Sequence, residues 1–394
     1  MQTIKTDLVI LGGGIAGLWL LNRAQQQGFD ALLLETGDLG GAQSVRSQGI
    51  IHGGTKYALN GVLTQASSSI ADMPSRWRAC IEGQGELDLS AAKILSEAHY
   101  MWSKASLGSK MTTFFASKAL KGRVETISAD ERPLVFNNPK FRGNLYKLNE
   151  IVLDVPSVID ALAKPLLQRI IKVAAEDIQF DSTDSGIQAL QLPQLRIEAQ
   201  RYITTAGEGT EALLQQLQLD QPQMQRRPLH MVMVRHESPL PTFAHCISSG
   251  SKPVVTITTH PTNNGEQVWY LGGDLAETGV NLPAAQQIQK AEKLIAELLP
   301  WIALKNPRWA SFHINRAEPK QSSLTRPDSA FAQARENCII SWPTKLALAP
   351  DLADQILAML NQQQISPQYC ADTAILDQLP RPAIAQPVWE TLFC

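Results

Sequence analysis

The most constraining feature of this 394-residue chain is a group of glycines that follows directly on an apolar run near its start. Residues 6–11 predict a β-strand, and a helical pattern begins after Gly17. Gly12, Gly14 and Gly17 have the spacing G-x-G-x-x-G. The first permits a tight turn, the second lets the backbone approach a diphosphate, and the third lets helix and strand pack closely. Because free N–H groups at a helix start favour anions, this order predicts a dinucleotide-binding unit.

An acidic residue stands where such a unit would bind ribose. A second apolar run covers residues 31–34 and leads to Glu35, 18 residues after Gly17. A carboxylate there accepts a hydrogen bond from a ribose hydroxyl and selects a nucleotide without a 2′-phosphate, which leaves both NAD and FAD open. The next segment favours FAD. An NAD domain would continue into another crossover helix, whereas residues 36–57 form a long stretch of small and hydroxylated side chains that suits an extended ligand.

Composition and charge exclude several other classes of protein. The chain has 35 Lys and Arg against 37 Asp and Glu, a net charge of −2, so it offers no broad electrostatic attraction to nucleic acid or anionic lipid. Its five cysteines are scattered, without a C-x-x-C pair or a Cys/His cluster at metal spacing. This pattern predicts a reducing compartment and no metal site. His230, His236 and His245 also lack metal spacing, and we interpret them as ordinary surface and core positions.

The sequence predicts neither a cleaved leader nor a membrane span. Residues 8–21 carry no charge and superficially resemble a secretory signal, but glycines 12–14 would weaken a signal helix and no small-residue cleavage site follows. Elsewhere no apolar run approaches the about 20 residues that span a bilayer. We therefore expect a cytoplasmic protein with no integral membrane segment, and leave peripheral contact with the inner membrane open.

Four blocks of sequence carry a resemblance to a known family. Residues 201–207 end in Ala-Gly, residues 325–328 contain an Arg-Pro element, and residues 343–350 open a helix predicted from 351 to about 360. The remaining block, residues 44–57, comes first in the chain. Lys56 replaces the usual arginine there, and the matching residues are Ser44, Ser47, His52, Gly53, Gly54 and Tyr57. In these blocks the chain resembles the D-amino-acid oxidase (DAO) superfamily of FAD enzymes, and within it the flavin-linked glycerol-3-phosphate dehydrogenases.

The resemblance implies FAD as the cofactor and an α/β fold, in which a Rossmann-like FAD-binding domain is interleaved with a mixed-sheet substrate domain. Residues 1–80, 145–215 and 315–394 would bind FAD, and residues 81–144 and 216–314 would cover the substrate. With the glycine motif and Glu35, the resemblance implies FAD contacts from Gly12, Gly14, Ile15, Ala16, Gly17, Glu35, Thr36, Gln43, Ser44, Ser47, Gln48, Gly49, Ile51, Val173, Ala206, Gly207, Thr344, Lys345 and Leu346.

The resemblance also assigns substrate and catalytic roles. Lys56, Tyr57 and Arg326 match positions that contact the anionic part of the substrate, and Arg326 joins His52 and Lys345 as a catalytic candidate. His52 would contact the substrate and accept its proton, because imidazole titrates near neutrality and glycines follow it. Packing against the flavin or covalent attachment to it are the alternatives for His52. Lys345, at a helix start, would balance the charge of the reduced flavin, or would be a solvated surface residue.

These expectations converge on an enzyme that removes hydride from a CH–OH group of a small anionic substrate, either a hydroxy acid or a polyol phosphate. Oxygen or a quinone would reoxidise the flavin. Three alternatives stay open: an amine or amino-acid oxidase acting on CH–NH, a flavin-dependent hydroxylase of a larger or peptidic substrate, and a non-catalytic flavoprotein subunit. Arg316 and Glu318 are a second candidate anion site, or a surface ion pair.

The rest of the chain alternates predicted helices and strands. Residues 85–104 carry an apolar face at helical spacing, and a further helix is expected to run through residue 167 with Ser157 as its cap. Another helix is predicted over 284–299. The predicted strands cover residues 177–180, 186–192, 195–203, 232–234, 254–258, 268–271 and 309–314. The large aromatic residues that would wall a pocket or belong to the core are Trp102, Trp269 and Trp342.

Overall fold

The structure is a computed structural model that describes residues 2–54, 70–104, 124–247, 252–320, 329–371 and 373–393. Its strands are β1 (Gln2–Leu11), β2 (Ala31–Glu35), β3 (Ile94–Ser96), β4 (His99–Lys104), β5 (Val124–Thr126), β6 (Gly143–Leu148), β7 (Val152–Leu153), β8 (Ile170–Lys172), β9 (Gln179–Thr183), β10 (Gly186–Gln191), β11 (Leu195–Thr204), β12 (Met224–His236), β13 (Ala244–Ile247), β14 (Pro253–Pro261), β15 (Gln267–Gly272), β16 (Arg308–Pro319), β17 (Phe331–Arg335) and β18 (Cys338–Trp342).

The α-helices are α1 (Ile15–Gln26), α2 (Met73–Ile81), α3 (Val155–Ala163), α4 (Thr210–Gln216), α5 (Asp274–Thr278), α6 (Ala284–Leu298), α7 (Ala349–Gln362), α8 (Thr373–Leu376) and α9 (Val388–Thr391). Short 3₁₀ helices cover residues 129–131, 164–169, 175–177, 207–209 and 346–348. None of the helices within the described ranges has the length and apolar character that crossing a membrane requires.

The first sheet has the strand order β17-β18-β11-β1-β2-β8, and the β9–β10 hairpin pairs with β11. Its five strands from β18 to β8 run parallel. Alternate residues of β1 enter different cores, since Leu8 and Ile10 pack with α1 and α7 whereas Val9 and Leu11 pack on the opposite face. Burial on both faces explains why β1 reads as a continuous apolar run.

The second sheet has the order β16-β12-β15-β14-β13-β4-β6-β5. Its pairs are antiparallel except β13–β4, which is parallel. The pairing of β12 with β16 extends from Met224↔Pro319 to Arg235↔Arg308. Together with the mostly parallel first sheet and its flanking helices, this mixed sheet confirms the predicted α/β class. The helices expected over 284–299 and 351–360 are confirmed as α6 and α7.

Two local predictions were wrong. The helix expected over residues 85–104 is absent, and β3 and β4 occupy the second half of that range. Successive residues of β4 are buried in different core clusters, Met101 with Tyr146 and Trp102 with Phe136, and apolar residues at both kinds of position imitate a helical stripe. The second error concerns a cap. Asp154, rather than Ser157, caps α3, because its Oδ2 accepts the Ser157 N–H at 3.2 Å.

The three tryptophans have different surroundings. Trp102 and Trp269 are buried in a core cluster on the second sheet, where the Trp269 indole donates to the Leu240 carbonyl at 2.9 Å. Trp342 is buried at the end of β18, lines a large cavity and donates to the Gly207 carbonyl at 3.0 Å. Of the three, only Trp342 therefore borders the cavity that the next subsection describes.

Candidate functional site

The carboxyl ends of β1, β2 and β11 meet at one edge of the first sheet, where register pairs Leu11 with both Leu34 and Thr204. Crevices at such an edge are the usual ligand sites of open α/β sheets. Gly12 continues from β1 with φ +114°, and a Cβ there would lie 2.7 Å from Ala206 Cα. A Cβ on Gly17 would lie 2.0 Å from the Gly12 carbonyl oxygen. Both positions therefore require glycine for the close contact of strand, turn and helix.

Hydrogen bonds from two separate segments hold the turn that these glycines form. The Ile15 N–H at the start of α1 donates to Ser44 Oγ at 3.0 Å. Glu35 Oε2 accepts the Gly13 N–H at 2.5 Å, and its Oε1 accepts the Gly37 N–H at 2.7 Å. Thus Glu35 holds the glycine turn against the end of β2 while it also lines the cavity. A diphosphate fits this cradle, because the amino end of α1 and the closely approaching backbone both favour an anion.

The cavity, of about 590 Å³, extends from this edge to one face of the second sheet. Most of the residues expected to contact FAD line it: Gly12, Gly14, Ile15, Ala16, Glu35, Thr36, Gln43, Ser44, Ser47, Gln48, Gly49, Ala206, Gly207, Thr344, Lys345 and Leu346. Three others lie outside the lining. Gly17 packs on the Gly12 carbonyl, Ile51 is fully buried in the core, and the Val173 N–H donates to the Glu35 carbonyl at 3.0 Å.

The second sheet supplies a wall of which sequence reasoning named only Arg316 and Glu318. Its other cavity-lining residues are Leu229, Met231, Tyr270, Ile314 and Ala317. The buried Tyr270 hydroxyl donates to the Arg46 carbonyl at 2.6 Å, and Gln48 Nε2 donates to the Tyr270 carbonyl at 2.8 Å. Burial raises the pKa of Tyr270 far above its usual range, so the phenol remains a neutral donor. These bonds fasten the loop around residue 47 to the second sheet.

His52 lies in the cavity wall with a buried carboxylate behind it. Its Nδ1 is 3.3 Å from Oε2 of Glu150, whose side chain is 2% exposed. Glu150 Oε1 accepts the Gly53 N–H at 3.1 Å, and the Ile51 N–H donates to the Ile151 carbonyl at 2.9 Å. Backbone pairing thus fixes both segments beside each other. The sequence offered one sign of Glu150, a single acid within the largely apolar residues 145–153.

Lys345 lines the same cavity at the start of the 3₁₀ helix 346–348, which leads into α7. The preceding Thr344 has φ +59°, a left-handed conformation that is rare for a β-branched residue. The Thr344 hydroxyl stabilises it by donating to the Ser329 carbonyl at 3.0 Å. Backbone strain held by surrounding structure is common at functional loops. The arrangement places Lys345 in the cavity wall on a sharply turned segment.

Arg316 and Glu318, the second candidate anion site, each form an ion pair with another residue. Arg316 Nη2 lies 3.6 Å from Glu277 Oε1, and Glu318 is paired with Arg227 and accepts from Gln225 at 2.7 Å. Arg316 and Glu318 both line the cavity, so β16 contributes a charged patch to the otherwise mostly apolar wall of the second sheet. The predicted substrate residues Lys56, Tyr57 and Arg326 lie outside the described residues.

The three histidines singled out from the sequence lie on strands of the second sheet. Burial lowers the pKa of His230, which stacks on His313 at 3.9 Å between ring centroids. Burial likewise lowers the pKa of His236 to about 4. His245 is buried on β13 and stacks near His52, with 5.9 Å between centroids and 19° between planes. Only His245 therefore approaches the candidate site.

Comparisons with known proteins agree with this geometry. Residues 7–319 match the family model "DAO: FAD dependent oxidoreductase". The chain is 50% identical over 393 residues to a probable FAD-dependent oxidoreductase, PA4991, of Pseudomonas aeruginosa, covering 100% of this chain and 99% of that one. The crystal structure of PA4991 superposes with a TM-score of 0.88, at 46% identity and 100% coverage of both chains.

Two more distant structures share the fold. Glycine oxidase from Geobacillus kaustophilus has a TM-score of 0.67 at 14% identity, covering 95% of this chain and 98% of its own. L-α-glycerophosphate oxidase from Mycoplasma pneumoniae, solved with FAD bound, has a TM-score of 0.64 at 12% identity, covering 95% and 98%. The glycine cradle, the cavity and the family match together identify the cofactor as FAD. The chain belongs to the DAO family of FAD-dependent oxidoreductases.

Proposed function

We propose that this enzyme oxidises a CH–OH group of a small anionic substrate, a hydroxy acid or a polyol phosphate. The observation that carries the proposal is the pairing of His52 with the buried Glu150 at the cavity wall. Oxidation of an alcohol requires a group that takes the hydroxyl proton, whereas an amine can enter the site already deprotonated. A carboxylate-backed imidazole is suited to the first task.

The proton and the hydride leave the substrate by different routes. Glu150 Oε2 orients the ring by accepting from Nδ1–H of His52, which leaves Nε2 as the basic nitrogen. In the proposed reaction Nε2 accepts the hydroxyl proton, the C–H electron pair leaves as hydride, and the C–O bond becomes a carbonyl. Bound FAD supplies the hydride acceptor at its N5. Oxygen or a quinone is the proposed final electron acceptor.

The cationic residues Lys345 and Arg316 line the cavity, which supports an anionic substrate. Lys345 is proposed to stabilise the negative charge of the reduced flavin. Arg326, Lys56 and Tyr57 are proposed to hold the carboxylate or phosphate, as in the family that they resemble. A lysine at position 56 offers a point charge where an arginine would offer a bidentate fork, which favours a different anion or a different geometry from that of glycerol 3-phosphate.

We propose that the two sheets correspond to two interleaved parts, with residues 1–80, 145–215 and 315–394 on the FAD side and 81–144 and 216–314 on the substrate side. Strands β6 and β16 cross the limits of this division, and both pair within the second sheet. The substrate would therefore lie between the apolar wall on β12, β15 and β16 and the flavin.

A second candidate is oxidation of CH–NH in an amine or amino acid. The likeness to glycine oxidase favours it, as does the wall formed by Leu229, Met231 and Ile314, which suits an apolar side chain.

An anaerobic experiment separates the candidates. The purified holoprotein is mixed with hydroxy acids, polyol phosphates and amino acids in turn, and the flavin absorbance is followed. Bleaching by an alcohol supports the proposal, and bleaching by amino acids alone overturns it in favour of CH–NH chemistry. Bleaching by NAD(P)H alone would instead indicate a hydroxylase.

A further inference from the structure

We propose that His52, Glu150 and His245 form a binding site for a divalent cation of the zinc class, and that the bound cation inhibits substrate oxidation. One potential ligand atom from each side chain lies within 4.8 Å of the other two. Two imidazoles and one carboxylate are a set that binds Zn²⁺ through three protein ligands and leaves a further position for water. The inhibition rests on the proposed function, whereas the cation site does not.

Outer contacts orient two of the three side chains. Thr256 Oγ1 lies 2.8 Å from Nδ1 of His245, which leaves Nε2 as the ligating nitrogen. Glu150 Oε1 accepts the Gly53 N–H, while Oε2 is directed to His52. Contacts of this kind fix the tautomer and orientation of metal ligands and raise metal affinity. The three residues are also held by distinct backbone segments, including the interior strand β13.

Burial and distance favour a cation at this place. As whole residues Glu150 and His245 are each about 1% exposed, and buried charged groups in proteins are paired or coordinate metals. Zinc bonds of about 2.0–2.2 Å place neighbouring ligand atoms about 3.3 Å apart. The His52–Glu150 separation already has this value. The other two separations are at most 4.8 Å, so shifts of about 1–1.5 Å bring all three ligand atoms to this spacing.

A cation at this site is incompatible with the proton-accepting role of His52. Neutral imidazole has one N–H and one basic nitrogen. When Nδ1 donates to Glu150, the basic nitrogen is Nε2. When Nδ1 binds a metal ion, the proton must reside on Nε2, and the ring then donates rather than accepts. The structure therefore predicts loss of substrate oxidation in proportion to cation occupancy.

The test measures Zn²⁺ binding and flavin reduction separately. Holoprotein carrying Cys370→Ser, which removes an exposed thiol, is dialysed against micromolar ZnCl₂, and bound zinc is quantified by metal analysis. His245→Gln and Glu150→Gln are compared with His313→Gln, a substitution of an exposed histidine on β16. Flavin absorbance and circular dichroism verify that each variant is folded and holds FAD. Anaerobic flavin reduction is then measured with and without zinc, using the substrate found in the panel above.

We expect one zinc ion per chain in the parent and in His313→Gln, and affinity reduced by at least about 10-fold in His245→Gln and Glu150→Gln. We also expect flavin reduction to slow with occupancy and to recover with a chelator. Equal zinc binding by the parent and the two ligand variants would overturn the site and leave the proposed function standing. If zinc binding depends on His245 and Glu150 but the rate of flavin reduction does not change with zinc, the inhibition and the base role of His52 are overturned, while the cation site stands.

Discussion

Glu150 lies 98 residues from His52 in sequence, yet its Oε2 is 3.3 Å from the His52 Nδ1. Glu150→Gln removes the acceptor that selects the productive tautomer and retains the size of the side chain. We expect flavin reduction at saturating substrate to slow by about 10- to 100-fold with FAD still bound, and His52→Ala to slow it by about 100-fold or more. Stopped-flow absorbance measures both rates. Glu97→Gln, at an exposed acid paired with Arg78, serves as the control. Unchanged rates in Glu150→Gln would rule out its orienting role.

Lys345 should influence the redox potential of the bound flavin. A positive charge that stabilises the reduced anionic flavin by about 1.4 kcal/mol raises a two-electron potential by about 30 mV. We therefore expect Lys345→Ala to lower the midpoint potential by about 30 mV and to slow flavin reduction. The potential is measured by equilibration with a reference dye. Lys320→Ala, at an exposed position, should leave it unchanged. A potential equal to that of the parent would mean that Lys345 does not act on the flavin.

Gly17→Ala should disrupt the glycine cradle. The added Cβ would lie 2.0 Å from the Gly12 carbonyl oxygen and 2.7 Å from Thr205 Oγ1, so α1 must move away from β1. We expect loss of most bound FAD and a destabilisation of about 1–3 kcal/mol. Gly37→Ala is the matched control, because its Cβ would meet Glu35 Oε1 at an ordinary 3.5 Å. FAD content is measured by the ratio of visible to ultraviolet absorbance. Full FAD occupancy in Gly17→Ala would contradict the close packing described above.

Arg326→Ala should weaken substrate binding more than it slows the chemical step. Loss of a charge-assisted hydrogen bond of about 1.5–3 kcal/mol corresponds to a rise of about 10- to 100-fold in the substrate dissociation constant. The substrate dependence of anaerobic flavin reduction separates affinity from the limiting rate. Arg316→Ala is the informative comparison, because Arg316 lines the cavity. If Arg316→Ala weakens affinity and Arg326→Ala does not, the anion site lies on β16.

Acid should destabilise the fold through buried histidines. Burial lowers the pKa of His260 to about 3 and that of His236 to about 4. Because the unfolded chain binds these protons at about pH 6.5, stability falls as pH decreases from about 6.5 toward those values. Each histidine should remove about 2 kcal/mol between pH 7 and pH 5. His260→Gln should flatten this pH dependence, as judged by chemical denaturation at both pH values, whereas exposed His313→Gln should not. An equally steep loss in His260→Gln would exclude His260 as a source.

Features encoded within short segments could be predicted from the sequence. The strand, the glycine turn, α1, β2 and Glu35 follow one another within 34 residues, and each glycine has a local steric reason. The helix over 284–299 was predictable because an amphipathic pattern at a spacing of 3.6 residues is local. The helix over 351–360 was predictable from the block before it, which resembles the family. Residues 85–104 show the limit of this reasoning. Their apolar spacing imitates a helix, and only pairing of β4 with β13 and β6 makes part of the segment a strand.

The sequence by itself determined the dinucleotide cradle, because those residues are close in the chain and their geometry is set by local sterics. The choice of FAD over NAD came from residues 36–57 and from the family resemblance. Only the tertiary structure brought Glu150 and His245 close to His52. Glu150 follows β6 and His245 lies on β13, and parallel and antiparallel pairing through β4 brings these segments together. No spacing rule predicts such a cluster, since sheet order depends on how distant apolar faces are buried against one another.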